Sequence, residues 1–204
     1  PAASAGYGVS VAGDPPPNPS WGEKVLEIHS AMERNGVPHA FGGAIALNYH
    51  REPRTTLDID INVFLAPEER TVALDALEGL YPIADRDGIE RELLDSGQGR
   101  TLWNETFVDL FFSNTPFHDA MAERTTKEVF GDAEIPILSI EDLLVCKVLF
   151  GRGRDWVDIE AVLRTGGETL DNVHIDHWLN RFLVEDDPRL MRLTALREQS
   201  AADG

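Results

Sequence analysis

Asp58 and Asp60 stand two residues apart in Thr-Thr-Leu-Asp-Ile-Asp-Ile-Asn-Val-Phe-Leu, residues 55–65. The segment alternates as a strand does. Leu57, Ile59, Ile61, Val63 and Leu65 fall on one face, and Asp58, Asp60 and Asn62 on the other. With a rise of about 3.3 Å per residue, the two carboxylates start roughly 6–7 Å apart at Cα and reach one common point. Adjacent ionised carboxylates repel, and aspartate is depleted in strands. A divalent cation held between them is the usual compensation.

Other residues bear chemistry, each with a plainer reading beside it. Gly42-Gly43 sits between a short extended piece and a helix, where glycines let backbone approach a phosphate or simply make a turn. Asp109 interrupts the apolar run Thr106–Ser113, so it is either bound to metal or salt-bridged to an arginine. Lys147 lies among Leu144, Val148 and Leu149, as a functional cation or a lysine snorkelling at a helix edge. Asp155 and Asp158 share a helix face flanked by Arg152 and Arg154, which on its own reads as a solvated charged face. His174 and His177 have helical spacing for a metal, but no third ligand accompanies them, which favours a surface or core pair. His50 and His118 take no role. No Gly-x-Ser-x-Gly, Walker A loop or Cys-x-x-Cys is present.

These side chains need a scaffold. Residues 1–20 are rich in proline, glycine and serine and read as an extended arm. Trp21, Val25, Ile28 and Met32 recur at helical spacing, and Asn35-Gly36 ends that helix. His39–Phe41 is extended, a short helix covers 44–49, and Arg51–Arg54 is a turn ahead of the Asp58/Asp60 strand. Pro67 opens a helix to about Leu80. Residues 83–104 are weakly patterned, with strand expected only at Leu102-Trp103. A strand over 106–113, a helix over 116–124 and a hairpin over 127–138 turning at Gly131-Asp132 follow. Ser139 with Asp142 caps a helix to Phe150, and helices over 155–164, 171–184 and 188–201 complete the chain. The pattern predicts an α/β core over residues 21–138 and a helical subdomain over 139–204.

At 204 residues and 42 % hydrophobic content the chain can bury a core. It has no apolar run long enough to span a membrane and no secretory leader pattern, and its lone Cys146 suits a reducing cytoplasm, so a cytoplasmic protein without a membrane partner is expected. Cys146 itself is expected as a small buried hydrophobe. The net charge of −18 argues against a broad nucleic-acid-coating surface but leaves room for a local basic pocket. Most of the 18 basic residues are arginines, suited to bidentate contacts with phosphate.

The order of the features is more specific than any one of them. Gly42-Gly43, then Arg54-x-Thr56-x-Asp58-x-Asp60, then a strand carrying Asp109, resembles the nucleotidyltransferase superfamily. The later Ile140-Glu-Asp-Leu-Leu-Val-Cys-Lys147 and Arg154-Asp155-x-x-Asp158 resemble the branch holding the AbiEii-type and MenT-type toxins of bacterial toxin–antitoxin systems. The resemblance covers about residues 37–164 and implies a mixed sheet flanked by helices. It implies Asp58, Asp60 and Asp109 as Mg2+ ligands, with Asp109 as ligand or base. It implies Gly42, Gly43, Arg54, Thr56, Arg154 and Asp155 around the NTP, Lys147 on phosphate, and Asp158 in the catalytic set. The start of the pattern departs from the Gly-Ser form of the superfamily, since Gly43 replaces serine and leaves backbone N–H groups to meet the nucleotide.

In that branch the acceptor is the 3′ end of tRNA, whose blocked end stops translation. The branch also implies an antitoxin, in some cases kinase-like and acting two residues ahead of the first aspartate, where Thr56 stands. Two other readings remain at this level. One is a nucleotidyltransferase modifying a small hydroxyl compound such as an aminoglycoside, which the acidity of the chain suits. The other is a non-catalytic nucleotide-binding module, against which the three retained carboxylates count.

Overall fold

The computed structural model describes residues 18–50, 56–166 and 169–203. The arm, apart from its last three residues, and Arg51 and Arg54 lie outside the described residues.

Among the described residues six strands form one mixed sheet in the order β3-β4-β2-β1-β6-β5. They are β1 (His39–Phe41), β2 (Ile59–Val63), β3 (Gln98–Trp103), β4 (Thr106–Phe112), β5 (Thr126–Phe130) and β6 (Ala133–Ile137). β2 runs parallel to β4 and antiparallel to β1, and β1 runs parallel to β6. Two antiparallel hairpins, β3–β4 and β5–β6, close the edges. The first turns on Asn104 at φ 54, a conformation asparagine tolerates in tight hairpins.

Period-two alternation splits the sheet into a dry face and a working face. Ile59, Ile61 and Val63 of β2 and Val108, Leu110 and Phe112 of β4 are buried together on the dry face. Helices α1 (Trp21–Arg34), α3 (Arg70–Glu78) and α4 (Arg86–Ser96) belong to this side. Ile89 and Leu93 of α4 fill the space over Gly99. Ser20 and Glu23 make a reciprocal capping box on α1. Lys24, buried on α1, donates to the Trp103 carbonyl at 3.1 Å and to Thr106 Oγ1 at 3.0 Å, tying the helix to the β3–β4 turn.

The short α2 (Gly43–Leu47) and the longer α6 (Ile140–Phe150) meet on the other side. Helices α7 (Gly153–Gly166), α8 (Asn172–Phe182) and α9 (Pro188–Asp203) pack around α6, while α5 (Pro116–Glu123) precedes the second hairpin. Among the described residues no helix is long and apolar enough to cross a membrane.

Two expectations change. The weakly patterned 83–104 segment is α4 followed by the full strand β3 rather than a short strand at Leu102-Trp103. Its signals are a polar helix with only Ile89 and Leu93 inward, and an edge strand with one buried side, both faint in a periodicity count. The strand carrying the aspartates begins at Ile59, so Asp58 precedes it and Leu57 is 69 % exposed rather than part of the apolar face.

Candidate active site

Register brings the first carboxylates together. Asp60 of β2 pairs directly with Asp109 of the parallel neighbour β4, so both side chains leave the same face about one strand spacing, ~4.8 Å, apart. Asp58 enters from the lead-in to β2, where its backbone N–H donates to Thr56 Oγ1 at 3.3 Å. All three carboxylates and Thr56 line one cavity of about 630 Å³. Burial first, then the charges of Asp109 and Asp58, pushes the Asp60 carboxyl up to about 6, against the opposite pull of Lys147 and Arg100. That is the electrostatics of an acidic cluster short of positive charge. An all-oxygen donor set of this kind fits a hard divalent cation such as Mg2+.

Asp109 also has a protein partner. Arg100 of the neighbouring β3 is in register with it, and its Nε and Nη2 donate to the two carboxylate oxygens at 2.5 and 2.7 Å. The salt bridge and the metal-ligand readings of Asp109 therefore converge on one residue. For Asp109 to bind a cation, the guanidinium must leave at least one of those oxygens. With the Arg100 side chain 53 % exposed the pair contributes little stability, so such an exchange is cheap. Arg100 went unseen in the sequence because its strand did.

Gly43 fixes the approach of α2. It stands at φ +49, and a Cβ there would overlap the Asp60 carboxylate. Gly42 is confined less severely, its added Cβ lying 2.8 Å from Asn62 Nδ2. The Gly42 N–H already donates to the Asp60 carbonyl at 2.9 Å, so that N–H is not available to a ligand, and Gly43 and Ala44 are the α2 residues lining the cavity. The glycine in place of the serine of the Gly-Ser pattern thus has a steric reason. Gly43→Ser is expected to lower the thermal midpoint by the cost of a left-handed side-chain-bearing residue, about 1–2 kcal/mol, with more from displacement of Asp60. Circular dichroism melts of the purified variant measure it.

Across the cavity stands Lys147. Ser139 caps α6, accepting the Asp142 N–H at 3.2 Å, and the helix carries Lys147 almost fully buried on the cavity wall. Its Nζ donates to Asp158 Oδ2 at 2.7 Å and to Asp155 Oδ1 at 3.4 Å, both on α7. Asp155 also accepts the Arg152 N–H at 3.1 Å, which fixes the turn at Gly151 between the two helices. Asp155 lines the cavity, whereas Asp158, 1 % exposed, lies behind the ammonium and positions it. Lys147→Ala removes that ammonium from a buried carboxylate and is expected to cost about 3 kcal/mol, read by urea unfolding.

The rest of the wall divides by character. Arg152 and Arg154 are exposed at the rim, with Arg152 stacked on Phe150 at 4.8 Å. Phe111, Phe117, Phe150 and Phe182 line the cavity as well. Cys146, half-buried rather than fully buried, faces it from α6, and burial followed by the charge of Asp142 pushes its thiol up to about 12, which keeps it protonated. His118 lines the cavity with Nδ1 3.1 Å from Thr115 Oγ1. His174 is taken up by Asp142 at 2.6 Å, and His177 packs edge-on against Trp178, so the helical histidine pair serves packing.

Comparison with known proteins agrees with this frame. An antigenic nucleotidyltransferase-like protein from Paracoccidioides brasiliensis superposes with a TM-score of 0.52 at 14 % identity, covering 90 % of this chain and 88 % of that one. JHP933 from Helicobacter pylori gives 0.47 at 13 % identity, over 89 % of this chain and 92 % of that one. The ANT(2″)-Ia structure with adenylyl-2″-tobramycin gives 0.48 at 13 % identity, over 87 % and 97 %. The first of these shows a shared nucleotidyltransferase-like fold. No curated protein matches the sequence. The family described as nucleotidyl transferase AbiEii toxin, type IV TA system, matches residues 34–203. That span takes in all six strands, the carboxylate face and the lysine helix, and the chain belongs to the AbiEii family of nucleotidyltransferase toxins.

Proposed function

We propose that this nucleotidyltransferase moves a nucleotide from an NTP to the 3′ end of tRNA, with Mg2+ held by Asp58, Asp60 and Asp109, and so blocks translation. The observation that carries the reading is the three-carboxylate face opposed across one cavity by the Lys147 ammonium. Bound Mg2+ would supply Lewis-acid stabilisation of charge on the phosphates. The chain's own groups do the rest. Asp109, once released by Arg100, accepts the proton of the acceptor hydroxyl. Lys147, oriented by its hydrogen bonds to Asp158 and Asp155, offers a positive charge to the leaving pyrophosphate. Gly43 admits the triphosphate close to β2, and the aromatic wall accepts the base. Residues 21–138 carry the acids and residues 139–204 the lysine, so substrate is enclosed between core and helical subdomain.

The tRNA acceptor is supported by the toxin family and by Arg152 and Arg154 at the rim of an otherwise acidic chain. The net charge of −18 favours one second reading, a small cationic hydroxyl acceptor such as an aminoglycoside. Incubation with labelled NTPs and Mg2+, against total RNA and against an aminoglycoside panel, separates them. Label on tRNA-sized RNA supports the first, and label on the antibiotic alone replaces it with the second.

The family is the toxin side of a toxin–antitoxin system, which implies an antitoxin. We assign it a kinase-like action on Thr56, whose hydroxyl sits at the cavity beside Asp58. A phosphate there would place about two negative charges next to the carboxylates and repel a triphosphate. Intact mass of the toxin coexpressed with its antitoxin is expected to gain one phosphate on the Thr56 peptide; an unmodified peptide from inactive toxin contradicts this. A cytoplasmic location follows from an RNA acceptor and a cytosolic NTP supply.

A further inference from the structure

The strongest unassigned feature lies on the opposite face of the sheet. His39 pairs in register with Val63, so its side chain leaves β1 on the side away from Asp60 and Asp109. There it meets the end of α1. His29 and Glu33 are one helical turn apart on α1, on one face of the helix. One ligand atom from each of His29, Glu33 and His39 falls within 4.8 Å of the other two.

From this geometry we infer a second metal site, in which His29, Glu33 and His39 bind one divalent transition-metal cation of the Zn2+ type. His29 Nδ1 and His39 Nε2 are 3.0 Å apart. Two nitrogens on a tetrahedral Zn2+, with bonds of about 2.0–2.1 Å, stand about 3.3 Å apart, so the imidazoles need move only a few tenths of an ångström. The second shell is already in place. His39 Nδ1 is 2.9 Å from the Val37 carbonyl and donates its proton there, leaving the Nε2 lone pair directed at His29. Phe41 holds the same ring edge-on at 5.8 Å. His29 meets a cation by carrying its proton on Nε2 rather than Nδ1, so binding needs no net proton loss from either neutral ring.

Charge and donor type narrow the ligand. Burial holds both imidazoles below the ordinary histidine range, so both are neutral donors at neutral pH. Glu33 is exposed and supplies a carboxylate, offsetting the nearby Lys127 charge that also acts on His29. Two nitrogens and one carboxylate suit Zn2+, Co2+ or Ni2+, and not Mg2+, which takes oxygen. A fourth position remains for water. The cation would clamp the last turns of α1 to the strand that delivers Gly42 and Gly43, across the Asn35-Gly36 turn. Its role is that of a staple, remote from the carboxylate cavity.

The test uses the full chain, stripped with chelator and titrated with Zn2+ in excess Mg2+ by calorimetry, with Co2+ absorption as a second probe. Asp60→Asn serves as the control for cation uptake at the other face. One Zn2+ per chain is expected in the wild type and in Asp60→Asn. Glu33→Gln and His29→Gln, at half-buried or exposed positions that spare the core, are each expected to lose at least tenfold in affinity. The four-coordinate Co2+ spectrum should be lost in both. Zn2+ at roughly a hundredfold above the wild-type dissociation constant should raise the wild-type midpoint by about 5 °C or more and that of each variant by no more than about half as much. Unchanged Zn2+ affinity in the two variants, or no saturable Zn2+ uptake by Asp60→Asn, overturns the proposal and leaves a plain His29–His39 hydrogen bond.

Discussion

Asp58→Ala is expected to slow nucleotide transfer on the order of a thousandfold or more, the scale on which removal of one preorganised electrostatic group slows an enzyme. Its fold should be unaffected. Asp58 precedes β2 rather than lying inside it, is only half-buried, and takes part in the sheet through no ladder hydrogen bond. Its loss also relieves repulsion on Asp60. The thermal midpoint should therefore stay within the change that about 0.5 kcal/mol produces, as for a surface substitution. A large loss of transfer with an unshifted melt separates a chemical role from a structural one. Transfer at the wild-type rate would remove Asp58 from the site.

Asp60→Asn should do two opposite things at once. It should abolish transfer, and it should stabilise the metal-free protein. The Asp60 carboxyl is held at about 6 by burial and by Asp109 and Asp58, against an ordinary 3.8. The folded state thus binds a proton more tightly than the unfolded chain. Between about pH 4 and pH 6 the folded state carries more protons, so stability falls as pH rises through that window and levels off above it. At 1.36 kcal/mol per pH unit the full shift is worth about 3 kcal/mol, and water in the cavity reduces this to about 2. The amide of the variant, isosteric with the carboxylate and uncharged, escapes the cost. Urea unfolding in chelator at pH 7 and pH 4.5 should show the variant more stable by about 2 kcal/mol at pH 7 and by about half as much at pH 4.5. Mg2+ should raise the wild-type midpoint far more than that of the variant. A variant less stable than wild type at pH 7 without metal would show that the carboxylate cluster carries no electrostatic strain.

Much of this is legible in the sequence. The Asp109 strand, the Gly131-Asp132 hairpin and the Ser139 cap rest on short-range rules and form where those rules place them, while the Asp-x-Asp alternation holds only from Ile59 onward, with Asp58 ahead of the strand. The pairing of Asp60 with Asp109 needed the parallel β2–β4 register, which is set across almost fifty residues and leaves no local trace. Arg100 was hidden for a related reason: α4 and β3 each bury so little that their periodicity fades. The sequence reads Asp158 as part of the pocket, and its place behind Lys147 depends on how α6 and α7 cross at Gly151. The His29–Glu33–His39 cluster joins a helix to a strand of the sheet. A search for metal ligands at fixed spacing finds the i, i+4 half of it and misses the rest.

The central claim is nucleotidyl transfer at the carboxylate face, and position-labelled NTP tests it most directly. The wild type, given Mg2+ and total RNA, should attach label from the α-phosphate to an acceptor and release label from the γ-phosphate as pyrophosphate, with both signals lost in Asp58→Ala. Transfer of the γ-label to acceptor, or α-label transfer that survives in Asp58→Ala, would contradict the account.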